Sequence, residues 1–323
     1  MRKHVRLCLT LSEIWTMADP RDLRRIVELA RIAERVGIGA LLIGEHPVMG
    51  PDADKNGRTM NPRDWLMAYN QPPDTPFPAQ LPLLGAIAAA TSRIQLVAGA
   101  VIAPLHPPLL LAKELATVDL LAEGRLAVVP SVSWQREEYE ALGVDFAHRG
   151  QLLDEHLEIW RRLWTEGSPV TYHGRHHHFS NAYLEPGPYR PGGPAIWTAG
   201  KTFSPWMVRR AVAFGKGLFP IVPPSEAQFA DLAQAMRQAG RDLEDLELIT
   251  TIPIPPFSDA TGLLDLEETM ANVPQIVAQG FTTLILKPSM FIDDDRDFEA
   301  FCQNALSLLD QALAGGGELA ESR

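Results

Sequence analysis

Residues 107–164 read PPLLLAKELATVDLLAEGRLAVVPSVSWQREEYEALGVDFAHRGQLLDEHLEIWRRLW. They contain an apolar helical pattern at 108–121, a short apolar strand at 126–131, a Ser-Val-Ser-Trp turn and an amphipathic helical pattern at 152–164. A short apolar strand between two helices is typical of a parallel sheet, because parallel strands are joined by helical crossovers. The stretch therefore predicts an α/β fold.

The same alternation extends along the rest of the chain. Eight strands are predicted, at 5–11, 40–44, 94–101, 126–131, 195–199, 217–221, 246–254 and 282–286. Eight helices are predicted with them, at 21–36, 81–90, 108–121, 152–164, 205–214, 225–239, 265–278 and 297–314. Eight strand-helix units in a chain of 323 residues predict a (β/α)8 TIM barrel, with insertions after strand 2 and after helix 4. A doubly wound open sheet is the alternative, because periodicity does not show whether a sheet closes.

The composition indicates one large globular domain. Hydrophobic residues make up 46% of the chain, which is enough to build a sizeable core. No Ser/Gly-rich linker divides the interior of the sequence. We therefore expect a single domain over residues 1–314 and a flexible, glycine-rich tail at 315–323.

Charge and cysteine content argue against several classes of protein. The net charge is −11 and the basic residues are scattered, so we expect no nucleic-acid partner. No apolar run is long enough to span a membrane, and we expect no membrane association. Cys8 and Cys302 give neither a disulfide framework nor a CxxC pair, which fits a reducing cytoplasm.

Two long segments interrupt the alternation. Residues 47–79 are rich in Pro, Asp and Asn but also hold Met and aromatic residues, and we interpret them as a substrate lid; the alternative is a segment that caps the barrel or packs on a second subunit. Residues 170–188 predict a β-hairpin. Four histidines lie in its turn region, but no HExxH motif, cysteine or carboxylate in register completes a site, so we predict no metal.

The motifs of residues 107–164 also resemble, as one block, those of a known family. LAKELATVDLLAEGR, a strand end closing on Trp134, EEY and an R-x-x-x-x-DE pattern are similar to the bacterial luciferase-like family of flavin- and deazaflavin-dependent oxidoreductases. The resemblance covers residues 5 to about 222. It is closer to the deazaflavin branch, through LAKELATVDLLAEGR and LEIWRRLWTEGSPVTYHG.

The resemblance implies an activity and its partners. It implies an oxidoreductase or monooxygenase that uses the deazaflavin coenzyme F-420, or alternatively reduced FMN. Such an enzyme transfers hydride to a small organic substrate or oxygenates it. The resemblance also implies a homodimer formed through the second and third barrel helices.

The end of the second strand, LLIGEHP, supplies the candidate catalytic residues Glu45 and His46. Loops after barrel strands build the active face. In the family an acidic residue or Asn followed by His lies here, near the edge of the cofactor ring. His46 is therefore predicted to donate to a ring carbonyl or to supply a proton. The alternative is a rim histidine without a role.

The ends of the third and fourth strands supply candidate contacts to the cofactor ring. Gly99 and Ala100 are small enough for a ring face to approach the backbone. In related deazaflavin enzymes this strand carries a bulge, sometimes with a non-prolyl cis peptide. At the fourth strand relatives read GVGVGW, whereas this chain departs from the pattern; the candidate contacts here are Ser131, Ser133 and Trp134, after Pro130. Trp134 is either a stacking wall or a core anchor.

The turn after the fifth strand is predicted to hold the cofactor phosphate. A helix opening at Ser204-Pro205 presents unpaired backbone N–H groups at its positive end. The family binds its cofactor phosphate near this turn. The candidate residues are Gly200, Lys201, Thr202 and Ser204.

Two other functions remain open at this point. Lys287, after the eighth strand, is a candidate amine nucleophile for a phosphate-binding lyase or isomerase of the same fold. The altered end of the fourth strand is also compatible with a non-catalytic flavin-binding paralogue. Arg149, Asp154 and Glu155 are predicted to be architectural, since a carboxylate pair near a helix N-terminus suits the dipole and an ion pair.

Overall fold

The computed structural model describes residues 4–56, 63 and 71–320. Eight parallel strands close a barrel in the order β1-β2-β3-β4-β7-β8-β9-β10. The barrel strands are β1 Arg6–Thr10, β2 Ala40–Ile43, β3 Gln95–Val101, β4 Leu126–Pro130, β7 Ala195–Gly200, β8 Gly217–Pro220, β9 Glu247–Thr251 and β10 Thr283–Leu286. The pairing of β1 with β10 closes the ring and confirms the TIM barrel over the open sheet.

Helices cover the outside of this barrel. They are α1 Leu23–Val36, α2 Gln80–Ala90, α3 Pro108–Leu121, α4 Arg136–Ala141, α5 Arg149–Thr165, α6 Pro205–Phe214, α7 Glu226–Gln238, α8 Leu266–Met270, α9 Val273–Ala278 and α10 Phe298–Ala320. Within the described ranges none of them is long and apolar enough to cross a membrane. Helix α10 extends to Ala320, and the flexibility expected for residues 315–323 stays a prediction.

Several helices differ from the sequence prediction. The short helix α4 was not predicted, and α5 begins at Arg149 instead of residue 152. The helix predicted at 265–278 is two helices, α8 and α9. Pro274 lies in the first turn of α9, where its missing N–H and its ring prevent one continuous helix through this point.

The side chains of the strands form two apolar layers. On β1, Leu7 and Leu9 pack outwards against the helices, whereas Cys8 points into the barrel. Inside the barrel, Trp197 is 1% exposed and fills much of the space between the strands. A Cβ added at Gly217 would lie 2.3 Å from Trp197 Cδ1, so only glycine fits beside this ring. The closed end of the barrel is therefore a packed core.

The two predicted insertions follow β2 and α5; α5 is the helix that was predicted as the fourth. The second is an antiparallel hairpin of β5 Val170–His173 and β6 His178–Ala182. Glu155 of α5 accepts backbone N–H groups of the turn from Arg175 at 2.7 Å and His177 at 2.8 Å. Asp154 of α5 pairs with Arg210 at 2.7 Å. Both carboxylates thus tie elements together, as predicted.

Candidate active site

A cavity of about 220 Å³ opens at the carboxyl ends of the first four strands. In a TIM barrel the loops at this end carry the reacting groups. The cavity is lined by Ser12, Glu13, Leu42, Gly44, Glu45, His46, Gln71, Phe77, Gly99, Ala100, Ile102, Ser131, Ser133 and Trp134. The structure therefore brings together the residues predicted at β2, β3 and β4.

His46 is held in the cavity by a buried carboxylate. Its Nδ1 lies 2.6 Å from Oε1 of Glu138, a residue of α4 that is fully buried. The other carboxylate oxygen of Glu138 accepts the Ser133 hydroxyl at 3.0 Å. With Nδ1–H donated to a carboxylate, the Nε2 atom of a neutral His46 is an acceptor, and that of a protonated His46 is a donor. The contact with Glu138 thus engages Nδ1 of His46.

Two aromatic rings fix the plane of the His46 imidazole. Phe77 and Trp134 meet it edge-on, with centroids 4.9 and 5.8 Å away. The two rings also supply flat apolar surface to the cavity. Trp134 therefore belongs to the cavity wall rather than to the barrel core.

The turn after β4 adopts its shape through the two serines that replace glycine. Ser133 has φ +54°, in the left-handed region that favours glycine. Its backbone N–H donates to Ser131 Oγ at 3.0 Å, while its own hydroxyl bonds Glu138. Ser133 thus adopts a backbone conformation that is unfavourable for a residue with a side chain, and its hydroxyl links β4 to α4.

Glu45 also lines the cavity, but both its carboxylate oxygens are engaged. One accepts the Ile102 backbone N–H at 2.7 Å, and the other lies 3.0 Å from His106 Nε2. The pKa of His106 is raised: burial, the largest influence, lowers it, but the hydrogen bond to Glu45 and the charge of Glu45 raise it more. Glu45 therefore stabilises the segment that follows β3.

The end of β3 is irregular where the small residues were noted. The Gly99-Ala100 peptide is cis, and the register of β3 against β4 shifts between Gly99 and Val101. A Cβ at Gly99 would lie 2.9 Å from Leu42 Cδ1. Gln80 of α2 donates to the carbonyls of Ile43 at 2.6 Å and Ala100 at 3.3 Å, which joins the ends of β2 and β3.

Lys287 follows β10, which pairs with β1, and lies beside the cavity residue Glu13. Its Nζ is 3.4 Å from Glu13 Oε2 and 4.6 Å from the centroid of the Trp15 ring. Burial lowers the pKa of Lys287 to about 8, although the charge and hydrogen bond of Glu13 oppose this change. The predicted nucleophile is therefore a member of a buried ion pair.

The predicted phosphate turn lies on the same rim, one strand further round. Strand β7, which ends at Gly200, pairs with β4. Ser204 caps α6, because its hydroxyl accepts the Met207 backbone N–H at 3.3 Å. Lys201 and Thr202 are exposed. These residues are not part of the cavity lining, so they are placed for a ligand group that reaches beyond it.

Part of the predicted substrate lid lies within the described residues. Gln71 and Phe77 line the cavity, and the Gly50 backbone N–H donates to Gln135 Oε1. The Met and aromatic residues on which the lid prediction depended lie mostly outside the described residues: Met60, Trp65, Met67 and Tyr69. The lid stays a prediction.

A second concavity of about 540 Å³ lies between α6 and α7. It is a surface groove of the outer helical layer and not part of the barrel mouth; Phe203 and Val208 are among its lining residues. The carboxyl ends of the strands meet at the smaller cavity, which His46 also lines. We therefore take the smaller cavity as the candidate active site.

Comparison with known proteins agrees with this architecture. The family model of luciferase-like monooxygenases matches residues 5–259. The chain belongs to this family. The match extends beyond residue 222, where the resemblance in the sequence ended.

Relatives within the luciferase-like family include proteins with and without an assigned reaction. The uncharacterized protein Rv0953c of Mycobacterium tuberculosis is 28% identical over 268 residues, which cover 76% of this chain and 86% of that protein. Pyrimidine monooxygenase RutA of Escherichia coli strain SE11 is 32% identical over 181 residues, which cover 53% of this chain and 46% of RutA.

Solved structures of similar fold include one with modified FMN and one of an enzyme that depends on coenzyme F420. The riboflavin lyase RcaE, solved with modified FMN and riboflavin, has a TM-score of 0.70 at 16% identity and covers 96% of this chain and 92% of its own. The coenzyme F420-dependent tetrahydromethanopterin reductase of Methanopyrus kandleri has a TM-score of 0.66 at 14% identity and covers 94% and 99%. At these identities the likeness concerns the fold.

The cavity of this luciferase-like protein fits a flavin-type ring. Its walls include two aromatic side chains, and Gly99 leaves the backbone bare at the end of β3. Gln71 Oε1 is buried in the lining without a hydrogen-bond partner among the described residues. At about 220 Å³ the cavity is smaller than the roughly 300–1,000 Å³ of common ligand pockets, so a larger ligand would extend beyond it.

Sequence reasoning missed several residues of the site. Glu138 is the middle residue of a motif, EEY, that was noted without a role. Ser12 and Glu13 interrupt the apolar run of β1, which is the position where a barrel strand presents polar groups. Gln71 and Phe77 lie in the long insertion and carried no distinguishing local signal.

Proposed function

We propose that the protein is an oxidoreductase that binds coenzyme F-420, or alternatively reduced FMN, and transfers hydride to a small organic substrate or oxygenates it. One observation carries the proposal. His46, fixed by the buried Glu138, faces a cavity at the barrel mouth that has an aromatic wall and a bare backbone at Gly99.

The cofactor, when bound, supplies the hydride or the activated oxygen. The side chains of the protein position the reactants and supply or accept protons. Trp134 and Phe77 confine a ring and keep water from its faces, while Gly99 and Ala100 let the ring approach the backbone. His46 is the catalytic residue in this proposal, because its Nε2 can donate a proton to the substrate or accept one.

Glu138 is a positioning residue in this proposal, since it acts through His46. Its carboxylate holds the imidazole through Nδ1 and selects the form that carries a proton on this nitrogen. Ser133 holds the second oxygen of Glu138, so the carboxylate cannot turn away from the ring. Glu45 keeps its predicted place beside His46 and orders the segment after β3.

The turn after β7 is proposed to bind the cofactor phosphate. Gly200, Lys201, Thr202 and Ser204 lie at the N-terminus of α6, where the helix dipole favours an anion. Ser131 and Ser133, at the neighbouring strand, are proposed to contact the ring between this turn and His46. A cofactor whose ring lies in the cavity then directs its tail towards Lys201.

Cofactor identity is tested by titrating the purified protein with F-420 and with FMN and following fluorescence quenching. We expect saturable binding of one of them, with F-420 the tighter ligand. Lys201→Met is expected to weaken the intact cofactor but not lumiflavin, which has the ring and lacks the phosphate. The surface variant Lys216→Met is the matched control. Failure of both cofactors to bind would contradict the proposal.

One observation favours a second candidate function. Burial lowers the pKa of Lys287 to about 8, which increases the neutral amine that a Schiff-base lyase or isomerase needs. Borohydride trapping of a carbonyl substrate on Lys287, without cofactor binding, would favour this candidate. Cofactor that binds but never cycles between redox states would instead favour a non-catalytic paralogue.

We also propose a homodimer formed through α2 and α3, acting in the cytoplasm on a small molecule. Leu110 and Leu121 of α3 are 53% and 47% exposed and offer apolar surface for such a contact. Size-exclusion chromatography is expected to give the mass of two chains. Elution as a monomer at micromolar concentration would contradict the dimer.

A further inference from the structure

The amide of Gln71 is a feature of the cavity that the proposed chemistry leaves unused. The side chain lines the cavity and is only 4% exposed. Its Oε1 has no hydrogen-bond partner in the part of the chain that the structure describes. A buried acceptor without a donor is unfavourable, so a group of this kind in a cavity points to a ligand that completes it.

Other polar side chains of the cavity have partners within the protein. Ser12 Oγ accepts the Gly44 backbone N–H at 2.9 Å, and Ser131 Oγ accepts that of Ser133 at 3.0 Å. Glu13 pairs with Lys287. Glu45 and His46 are engaged with the partners described above. Gln71 differs from them in having a buried side-chain oxygen without a hydrogen-bond partner among the described residues.

We propose that Gln71 recognises the edge of a cyclic amide or imide, where an N–H group lies beside a carbonyl. A primary amide carries an acceptor and two donors in one plane, so it pairs with such an edge through two parallel hydrogen bonds. The apolar side chains of Phe77, Ile102 and Trp134 line the same cavity and suit the faces of a flat ring. The inference rests on the proposed function, since it assumes that this cavity binds the reactants.

Two reactants can supply this edge. The pyrimidine portion of a flavin or deazaflavin ring has an imide N–H between two carbonyls. A substrate that is itself a cyclic amide or imide has the same group. In the first case Gln71 is a cofactor-binding residue, and in the second it determines substrate specificity.

The cofactor source is tested with lumiflavin and 3-methyl-lumiflavin, which differ only in the imide N–H. Fluorescence quenching gives their dissociation constants for the wild type, Gln71→Met and the control Gln238→Met, which makes the same change at an exposed helix position. We expect the wild type and Gln238→Met to bind lumiflavin about 10-fold more tightly than its methylated form, equivalent to one hydrogen bond. Gln71→Met is expected to bind both equally.

The substrate source is tested with uracil and 1,3-dimethyluracil by titration calorimetry, with and without cofactor. Preference for uracil in the wild type, lost in Gln71→Met, with no discrimination between the two lumiflavins, assigns Gln71 to the substrate. Absence of discrimination in both pairs of probes by the wild type would overturn the inference. Equal discrimination by wild type and Gln71→Met would also overturn it.

Stability separates recognition from a structural role. Because methionine leaves no unpaired polar group, the cofactor-free Gln71→Met variant is expected to melt at a temperature no lower than the wild type. A lower melting temperature with unchanged probe binding would show a structural residue and overturn the inference. If F-420 and FMN bind but neither lumiflavin nor uracil is discriminated, the proposed function stands and only the role of Gln71 fails.

Discussion

His46 and Glu138 are 92 positions apart in the chain, yet His46 Nδ1 lies 2.6 Å from Glu138 Oε1. One residue follows β2 and the other belongs to α4, so their contact exists only after β2, β3 and β4 have paired. The buried carboxylate holds the imidazole in one orientation.

Replacing this carboxylate should therefore reduce turnover. Glu138→Gln keeps the shape of the side chain but replaces the carboxylate that holds His46 through Nδ1 with an amide, and we expect kcat to fall by about 10²-fold. Cofactor affinity is expected to persist, because Glu138 lies behind His46. Steady-state kinetics with a substrate found by cofactor-oxidation screening measures the change. Glu140→Gln, on the exposed side of α4, is the control, and an equal loss there would remove the argument.

The two serines after β4 give a prediction about stability. Ser133→Ala keeps the φ of +54° and loses the hydrogen bond to Glu138, so we expect a destabilisation of about 1–2 kcal/mol. Ser133→Gly loses the same bond but relieves the backbone, and should be about 1 kcal/mol more stable than the alanine variant. Urea unfolding measures both.

A control for this series is Glu123→Gly. Glu123 is exposed and has φ +52°, so glycine should relieve a similar backbone conformation without removing a hydrogen bond to Glu138. If Ser133→Ala and Ser133→Gly prove equally stable while Glu123→Gly is stabilised, backbone conformation does not govern position 133.

Gly99 should not tolerate even a methyl group. The Cβ of Gly99→Ala would lie 2.9 Å from Leu42 Cδ1 and 3.2 Å from Val97 Cγ1, in the barrel interior. Overpacking of this kind costs about 1–3 kcal/mol. Leu42 also lines the cavity, so its displacement should weaken cofactor binding. Thermal melting and fluorescence titration test this against Gly187→Ala, where nothing lies within 4 Å.

Because of Lys287, we expect the free energy of unfolding to depend on pH in the alkaline range. Burial lowers its pKa in the folded protein from 10.5 to about 8. Between these two values the unfolded chain binds more protons than the folded one, so this residue contributes stability that increases as pH rises from about 8 to 10.5. The full change is up to about 3 kcal/mol.

The contribution of Lys287 is isolated by difference. The stability of the wild type relative to Lys287→Met should rise across this pH window in urea unfolding, since other groups titrate equally in both proteins. Lys287→Arg keeps the charge at every pH in the window and should show no such rise relative to Lys287→Met. A wild-type difference that is flat with pH would mean that Lys287 titrates normally.

The amino-acid sequence by itself determined the strands, most helices and the end of the barrel at which chemistry is expected. These are short-range properties: apolar runs such as Leu126–Pro130 specify a buried strand, and the polar residues that end them mark one rim. The family motifs added Glu45, His46 and the β4 turn. Pro274 was visible in the sequence, but its division of α8 from α9 was not predicted.

Only the tertiary structure decided which side chains meet. Closure of the barrel brings Glu138 to His46, Lys287 to Glu13 and Gln71 into the cavity lining. The local hydrophobic periodicity of the sequence predicts none of these contacts. Burial then changes the properties of these groups: it lowers the pKa of Lys287 and leaves the Gln71 side-chain oxygen without a hydrogen-bond partner among the described residues. The partners of these groups depend on elements distant in the chain, and the sequence therefore specifies them only through the fold.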